Sequence, residues 1–253
     1  MEVKAGIQSN LSSGHEAPKL DWSVRRIHKI KEINAGISYL EIGVETGSTI
    51  LNVDMPRKDG VDPLFKFDTD LFASSDVRFF SQTSDAFWTS GKSRTYDIIM
   101  IDGLHTFEQT FRDLLCSMRF SHQQTVWLID DTLPSDVFSA IPDQARCLRE
   151  RQKLGSRNRA WHGDVYKIVP AIHDFIPVFD YATIVKSGNP QTLAWFSNRN
   201  DFKPRLANLE AISRMNYFDI EPNLGLFNIA DEDEAFSRLR TTFGEALRVL
   251  REV

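Results

Sequence analysis

Apolar residues recur every third position from Val24 through Ile27 and Ile30 to Ile33, with Arg25, Arg26, Lys29 and Lys31 between them. That spacing predicts an amphipathic helix over residues 21–33, ended by Asn34-Ala35-Gly36. Ser38 to Ile42 then reads as a largely apolar strand, the pattern of a central parallel strand. A very short second strand lies within Arg57–Asp62 and is stopped by Pro63. Val77–Phe80 makes a third, followed by a loop over Ser81–Asp85 and a short helix from Ala86 to Trp88. Tyr96–Ile101 and Thr125–Ile129 are the fourth and fifth. Between these two, Thr106 opens a helix whose hydroxyl cap is answered by Gln109 three residues on. Its apolar stripe is Phe107, Phe111, Leu114, Leu115 and Met118.

Pro134 to Gly155 is mostly loop and helix, and a further helix covers about Val165–His173. Strands near Tyr181–Val185 and Thr192–Phe196 flank a Lys186-Ser-Gly-Asn-Pro190 turn, an antiparallel hairpin expected at a sheet edge. The tail carries two helical stripes, Leu206/Leu209/Ile212/Met215 and Phe236/Leu239/Phe243/Leu247/Leu250. The acidic run Asp231–Glu234 before the second suits the positive end of a helix. Alternation of strand and helix ending in a hairpin predicts one α/β unit, a doubly wound, mostly parallel sheet of seven strands with extra helices. Residues 1–20 read as a flexible tail, 21–200 as the sheet domain and 201–253 as a helical extension packed on it.

Composition narrows the function classes. A net charge of −5 argues against broad nucleic-acid binding, which needs a basic field. The basic stretch from Arg146 to Arg159 reads as a solvated helix or loop. Cys116 and Cys147 lack metal-ligand spacing, and Cys116 falls on the inner face of its helix as a small hydrophobe. With no apolar run of transmembrane length and no secretory-type start, the expectation is a cytoplasmic protein.

The candidate chemistry lies at the strand ends. Gly43 and Gly47 let the backbone approach a ligand after the first strand. Their spacing is neither G-x-G-x-x-G nor a phosphate loop ending in Gly-Lys-Ser/Thr, so it suits a ligand with a bulky, non-phosphate middle. Glu41 is placed to accept from an ammonium or backbone donor. Asp62 ends the second strand, where an acid holds ribose hydroxyls, and Asp85 after the third is placed to face an adenine amine. Asp102 ends the fourth strand and Asp130 and Asp131 the fifth. Three converging carboxylates repel one another unless a hard divalent cation, Mg2+ by its preference for oxygen, sits among them. His105 begins the Thr106 helix. The helix end favours a neutral imidazole and the acids oppose it; the neutral ring takes the acceptor's proton.

Tyr39-Leu-Glu41-Ile-Gly43-Val-x-x-Gly47-x-Thr49, Pro56-Arg-Lys-x-Gly60-Val-Asp62-Pro63, Thr83-Ser84-Asp85 and Ile101-Asp102-Gly-x-His105-Thr-Phe-Glu108 together resemble class I S-adenosylmethionine-dependent methyltransferases. The wording is similar to the branch with macrolide-sugar O-methyltransferases and related bacterial proteins. Trp161-x-Gly163-Asp164-Val165-x-Lys167 recurs there too. The resemblance implies a Rossmann-like fold and S-adenosylmethionine held by Glu41, Gly43, Gly47, Asp62, Ser84, Asp85 and Asp102. It also implies a divalent cation on Asp102, Asp130 and Asp131, with His105 as general base. The implied acceptor is a hydroxyl on a small molecule, sugar or glycosylated metabolite.

Two rival functions share the crevice: a nicotinamide oxidoreductase, against which the missing G-x-G-x-x-G counts, and a non-catalytic cofactor-binding protein. Trp161 and His162 line a substrate pocket or, for Trp161, anchor the core. Asp164 starts the helix after Gly163. His28, His122 and His173 are structural. Residues 132–165 and 199–230 are expected to shape the acceptor pocket, and the late helices pack on the sheet or on a second subunit of a homo-oligomer.

Overall fold

A computed structural model describes residues 21–91, 94–197, 199 and 202–249, with the side chains of 245–249 excluded. The expected tail of residues 1–20 and Leu250 of the last stripe lie outside the described residues, as does the side chain of Leu247. Helix α1 (Trp22–Asn34) is capped by the Asp21 carboxylate accepting from the Ser23 N–H. The strands that follow are β1 (Ser38–Ile42), β2 (Arg57–Asp62), β3 (Val77–Ser81), β4 (Ile98–Ile101) and β5 (Val126–Ile129). Among them lie α2 (Ser84–Thr89) and α3 (Phe107–Ser117); α4 (Gln144–Lys153) and α5 (Ile168–Phe175) come next. The hairpin is β6 (Phe179–Ile184) with β7 (Gln191–Phe196). Helix α6 (Leu209–Arg214), the two-residue β8 (Ile229–Ala230) and α7 (Glu232–Val249) complete the chain.

The sheet order is β3-β2-β1-β4-β5-β7-β6-β8. The first five strands are parallel, and β7 runs antiparallel to both β5 and β6. This is a mostly parallel Rossmann-like sheet with an antiparallel part. Among the described residues it has eight strands rather than seven, because β8 pairs in parallel with β6 and takes the edge expected for the hairpin. A two-residue strand is too short for period-2 alternation to reveal it.

Alternation along the strands feeds two cores. Leu40, Ile42, Ile99, Ile101, Trp127 and Ile129 point to the side covered by α3 and α5, with Leu114, Ile168 and Ile172. Tyr39, Ile98, Met100, Val126 and Leu128 point to the other, against Val24, Ile27 and Ile30 of α1 and Phe236, Leu239 and Phe243 of α7. Each fully buried aliphatic or aromatic side chain contributes about 1.5–3 kcal/mol. Some stripe positions differ from expectation. Leu115 is 44% exposed and Leu209 40%, and Cys116 is only half-buried while Cys147 is buried. Arg151 of the basic stretch is buried, its guanidinium donating to Asp136 and to the carbonyl of Ala160.

The helix starts also differ. Thr106 precedes α3 without a side-chain cap. The Phe107 N–H donates instead to Asp164 Oδ1 at 2.9 Å, and Gln109 turns away to Ser84, Asp85 and Asp113. Asp164 therefore caps a helix distant in sequence, not the one beside it, and its other oxygen takes Lys167 Nζ at 2.8 Å. Among the described residues no helix is long and apolar enough to cross a membrane.

Candidate active site

The carboxyl ends of β1, β2, β4 and β5 open on one side of the sheet. Strand order reverses across β1 and β4, where open α/β sheets hold ligands. A cleft of about 800 Å³ lies there. Its lining includes Glu41, Gly43, Asp62, Ser84, Asp85, Asp102, His105, Asp130 and Asp131, so one cavity gathers nearly every residue singled out from sequence. Gly47 is not among them: its Cα side faces Leu51 and Phe67, so it shapes the loop from behind.

The β1 loop is held from within. Gly43 has φ +86°, and a Cβ there would lie 1.9 Å from the Asp102 carbonyl oxygen. Close approach of β1 to β4 is thus enough to demand glycine. Asp62 Oδ2 accepts from the N–H groups of Val44 and Glu45, both at 2.9 Å, and Oδ1 from Leu64 at 2.7 Å. The acid at the end of β2 braces the β1 loop as well as lining the cleft. Glu41 is almost fully buried and accepts from the Tyr39 hydroxyl at 2.6 Å. Burial pushes its carboxyl well above the usual range, against that hydrogen bond. Asp85 is exposed and paired with Arg112 at 2.7 Å.

His105 sits between two acids. Its Nδ1 is 2.8 Å from Asp131 Oδ2 and its Nε2 3.4 Å from Asp102 Oδ1. The Asp131 contact is a close ion pair rather than an aligned hydrogen bond. The imidazole stacks on Trp161, centroids 4.5 Å apart and planes 13° apart. Gly163 makes that possible: with φ +62°, a Cβ there would meet the His105 carbonyl oxygen at 1.8 Å. Trp161 donates its Nε1–H to the Ile141 carbonyl at 2.7 Å. It both anchors the segment and lines the cleft.

Burial alone would lower the His105 pKa, but Asp102 and Asp131 outweigh it and hold the ring up at about 10. The acids outweigh the helix end, so with both carboxylates ionised the protonated form of the ring is favoured. Burial raises Asp102 to about 6, opposed by His105 and reinforced by Asp131, although 31% of its side-chain surface remains open. Asp130 is pushed well above the usual carboxylate range by burial, then by Asp102 and Asp131.

Ligand atoms of Asp102, His105 and Asp131 all lie within 4.8 Å of one another, a spacing a metal ion fits. Asp130 lines the same cleft but stands outside that trio. Its Oδ1 accepts from the Asp131 N–H at 2.9 Å and from Asn189. In the sequence Asn189 reads only as a residue of the Lys186–Pro190 turn. Pairing of β5 with β7 is the missing information: Ile129 opposes Thr192, which sets the residues before Thr192 beside those after Ile129. Gln144 and Arg159 also line the cleft and carry no local signal. His28, His122 and His173 contact Asp54, Asp97 and Asp174 outside it.

A family model described as a methyltransferase domain matches residues 40–132. That span runs from β1 through Asp131. Over that stretch, which is less than half of the chain, the sequence is similar to a methyltransferase domain. Among solved structures, cofactor-bound Rv0187 from MTB is 14% identical with TM-score 0.50, over 73% of this chain and 84% of that one. This likeness extends the fold beyond residue 132. The O-methyltransferase from Bacillus cereus in complex with SAH is 14% identical with TM-score 0.44, covering 74% of this chain and 85% of that one. No curated protein matches the sequence.

Proposed function

We propose that this chain moves a methyl group from S-adenosylmethionine to a hydroxyl of a small-molecule or sugar-like acceptor, with His105 as the base. The observation that carries the reading is the placement of His105, held between Asp102 and Asp131 in the cleft formed by the Gly43 loop. Glu41, Asp62, Ser84 and Asp85 line the half of the cleft nearest β1 to β3, where the cofactor's amino acid, ribose and adenine would lie. The sulfonium methyl would then face the β4 and β5 ends. The acceptor would enter beside Trp161, Gln144 and Arg159.

The donor set fits a divalent cation, since carboxylate oxygens of Asp102 and Asp131 lie within 4.8 Å of one another and hard cations prefer oxygen, which leaves the His105 imidazole for the base. Asp102 and Asp131 would hold Mg2+, with Asp130 alongside. Such an ion supplies Lewis acidity that lowers the pKa of a coordinated hydroxyl. A cation there would draw on the charge of Asp102 and Asp131 and so would weaken the cause of the raised His105 pKa. Neutral imidazole accepts the hydroxyl proton, and the acceptor oxygen attacks the methyl in line, S-adenosylhomocysteine leaving.

Calorimetry with S-adenosylhomocysteine and with NAD tests the donor: binding of the former alone is expected, and NAD binding alone would overturn the reading. The base is tested by His105→Gln, which should retain cofactor affinity while losing roughly 10²–10⁴-fold in methyl transfer. Turnover equal to wild type would remove His105 from the reaction.

A further inference from the structure

The hairpin turn between β6 and β7 reaches into the site through one side chain. Asn189 Nδ2 lies 2.6 Å from Asp130 Oδ1 and 2.6 Å from Asp131 Oδ1. One amide group thus supplies a hydrogen to each of two adjacent carboxylates. Its orientation is settled by charge: turned over, the amide oxygen would face two carboxylate oxygens with no hydrogen between them. The same orientation sets Asn189 Oδ1 3.3 Å from His162 Nε2, which donates to it. Asp131 contributes a constraint of its own. It has φ +60°, a left-handed conformation uncommon for a residue with a side chain, and its free oxygen, Oδ2, is the one beside His105.

The turn is rigidly backed. Arg26 of α1 is fully buried, and it donates to the Asn189 carbonyl at 2.9 Å, to Gln191 Oε1 at 2.6 Å and to the Ser187 carbonyl. On the other side the Thr132 N–H donates to the Pro190 carbonyl at 3.1 Å. A hairpin turn needs none of these contacts to reverse the chain. Their combined effect is to deliver a neutral donor to the acidic doublet. A lysine or arginine there would cancel the doublet's charge, whereas an amide orients both carboxylates and leaves that charge available to a cation or imidazolium.

We infer that Asn189, held by Arg26, is a positioning residue that fixes one oxygen of Asp131 so that the other is presented to His105 and to the cation site. The inference rests on the reading of Asp131 and His105 as the working groups of the cleft.

The experiment uses the full chain with Asn189→Ala and the volume-matched Asn189→Leu. Three quantities are read: S-adenosylhomocysteine affinity by calorimetry, Mn2+ affinity by electron paramagnetic resonance, and the His105 ring resonance in 13C-histidine-labelled protein, assigned by its loss in His105→Gln. In a folded variant, S-adenosylhomocysteine affinity should stay within about two-fold. Mn2+ affinity should fall about 10–100-fold, the effect of losing a group that orients a metal ligand. The His105 signal should move or broaden, while those of His28 and His122, beside Asp54 and Asp97 at the other end of the sheet, stay fixed. An unchanged His105 signal in either folded variant overturns the inference, whatever the metal result. If wild-type protein binds no Mn2+ yet the His105 signal shifts as expected, the cation part of the proposed function fails and the positioning role stands.

Discussion

At the scale of single residues, the site is a balance of charge. His105 titrates high because two acids face it, and this has a sign. With the folded pKa raised to about 10 from the ordinary 6.5 of an imidazole, the protonated ring stabilises the fold fully below the unfolded value and loses that contribution as pH rises through about 10. In chelator-treated protein, the melting-temperature advantage of wild type over His105→Gln should be largest near about pH 6 and shrink towards about pH 10. A gap that widens with pH would show that the ring is neutral in the fold. Asp62 makes a different point. Its place at the end of β2 suits a ribose ligand, and its three accepted backbone N–H groups make it a brace as well. Asp62→Ala should both weaken S-adenosylhomocysteine binding and lower stability by about 1–3 kcal/mol, the cost of unsatisfied buried donors. Chemical denaturation beside calorimetry separates the two effects.

At the scale of elements, strands were more legible than caps. The parallel strands are runs of apolar residues long enough to be recognised locally, and their ends carry the acids. The cap of α3 comes from elsewhere in the chain: the Thr106 side chain leaves its helix uncapped, and Asp164, more than fifty positions away in sequence, takes the Phe107 N–H. A local spacing rule cannot detect a cap supplied through tertiary contact. Asp164 also pairs with the buried Lys167, so Asp164→Ala should cost about 3–5 kcal/mol, the range for stranding one member of a buried pair. Denaturant titration would measure it. A loss near zero would mean that neither the cap nor the pair contributes.

At the scale of the whole molecule, helices α1 and α7 meet across one face of the sheet. Phe236 and Leu239 of α7 pack with Val24 and Ile27 of α1 over the central strands, and Arg26 of α1 joins Glu232 of α7 to the turn bearing Asn189. Phe236→Ala should therefore destabilise the protein by about 3–5 kcal/mol, with cofactor affinity unchanged in the folded fraction, because the cleft lies at the strand ends and not on that face. Thermal melts with and without S-adenosylhomocysteine would show both. Hydrophobic periodicity and glycine-acid spacing by themselves determined that the chain forms a parallel α/β sheet with acids at successive strand ends, since those are local properties of a few consecutive residues. Only the tertiary structure decided that Asp131 rather than Asp130 faces His105, that two acids raise the pKa of that ring, and that Asn189 reaches the doublet. Those facts depend on the pairing of β7 with β5 and on desolvation, which arise between segments far apart along the chain.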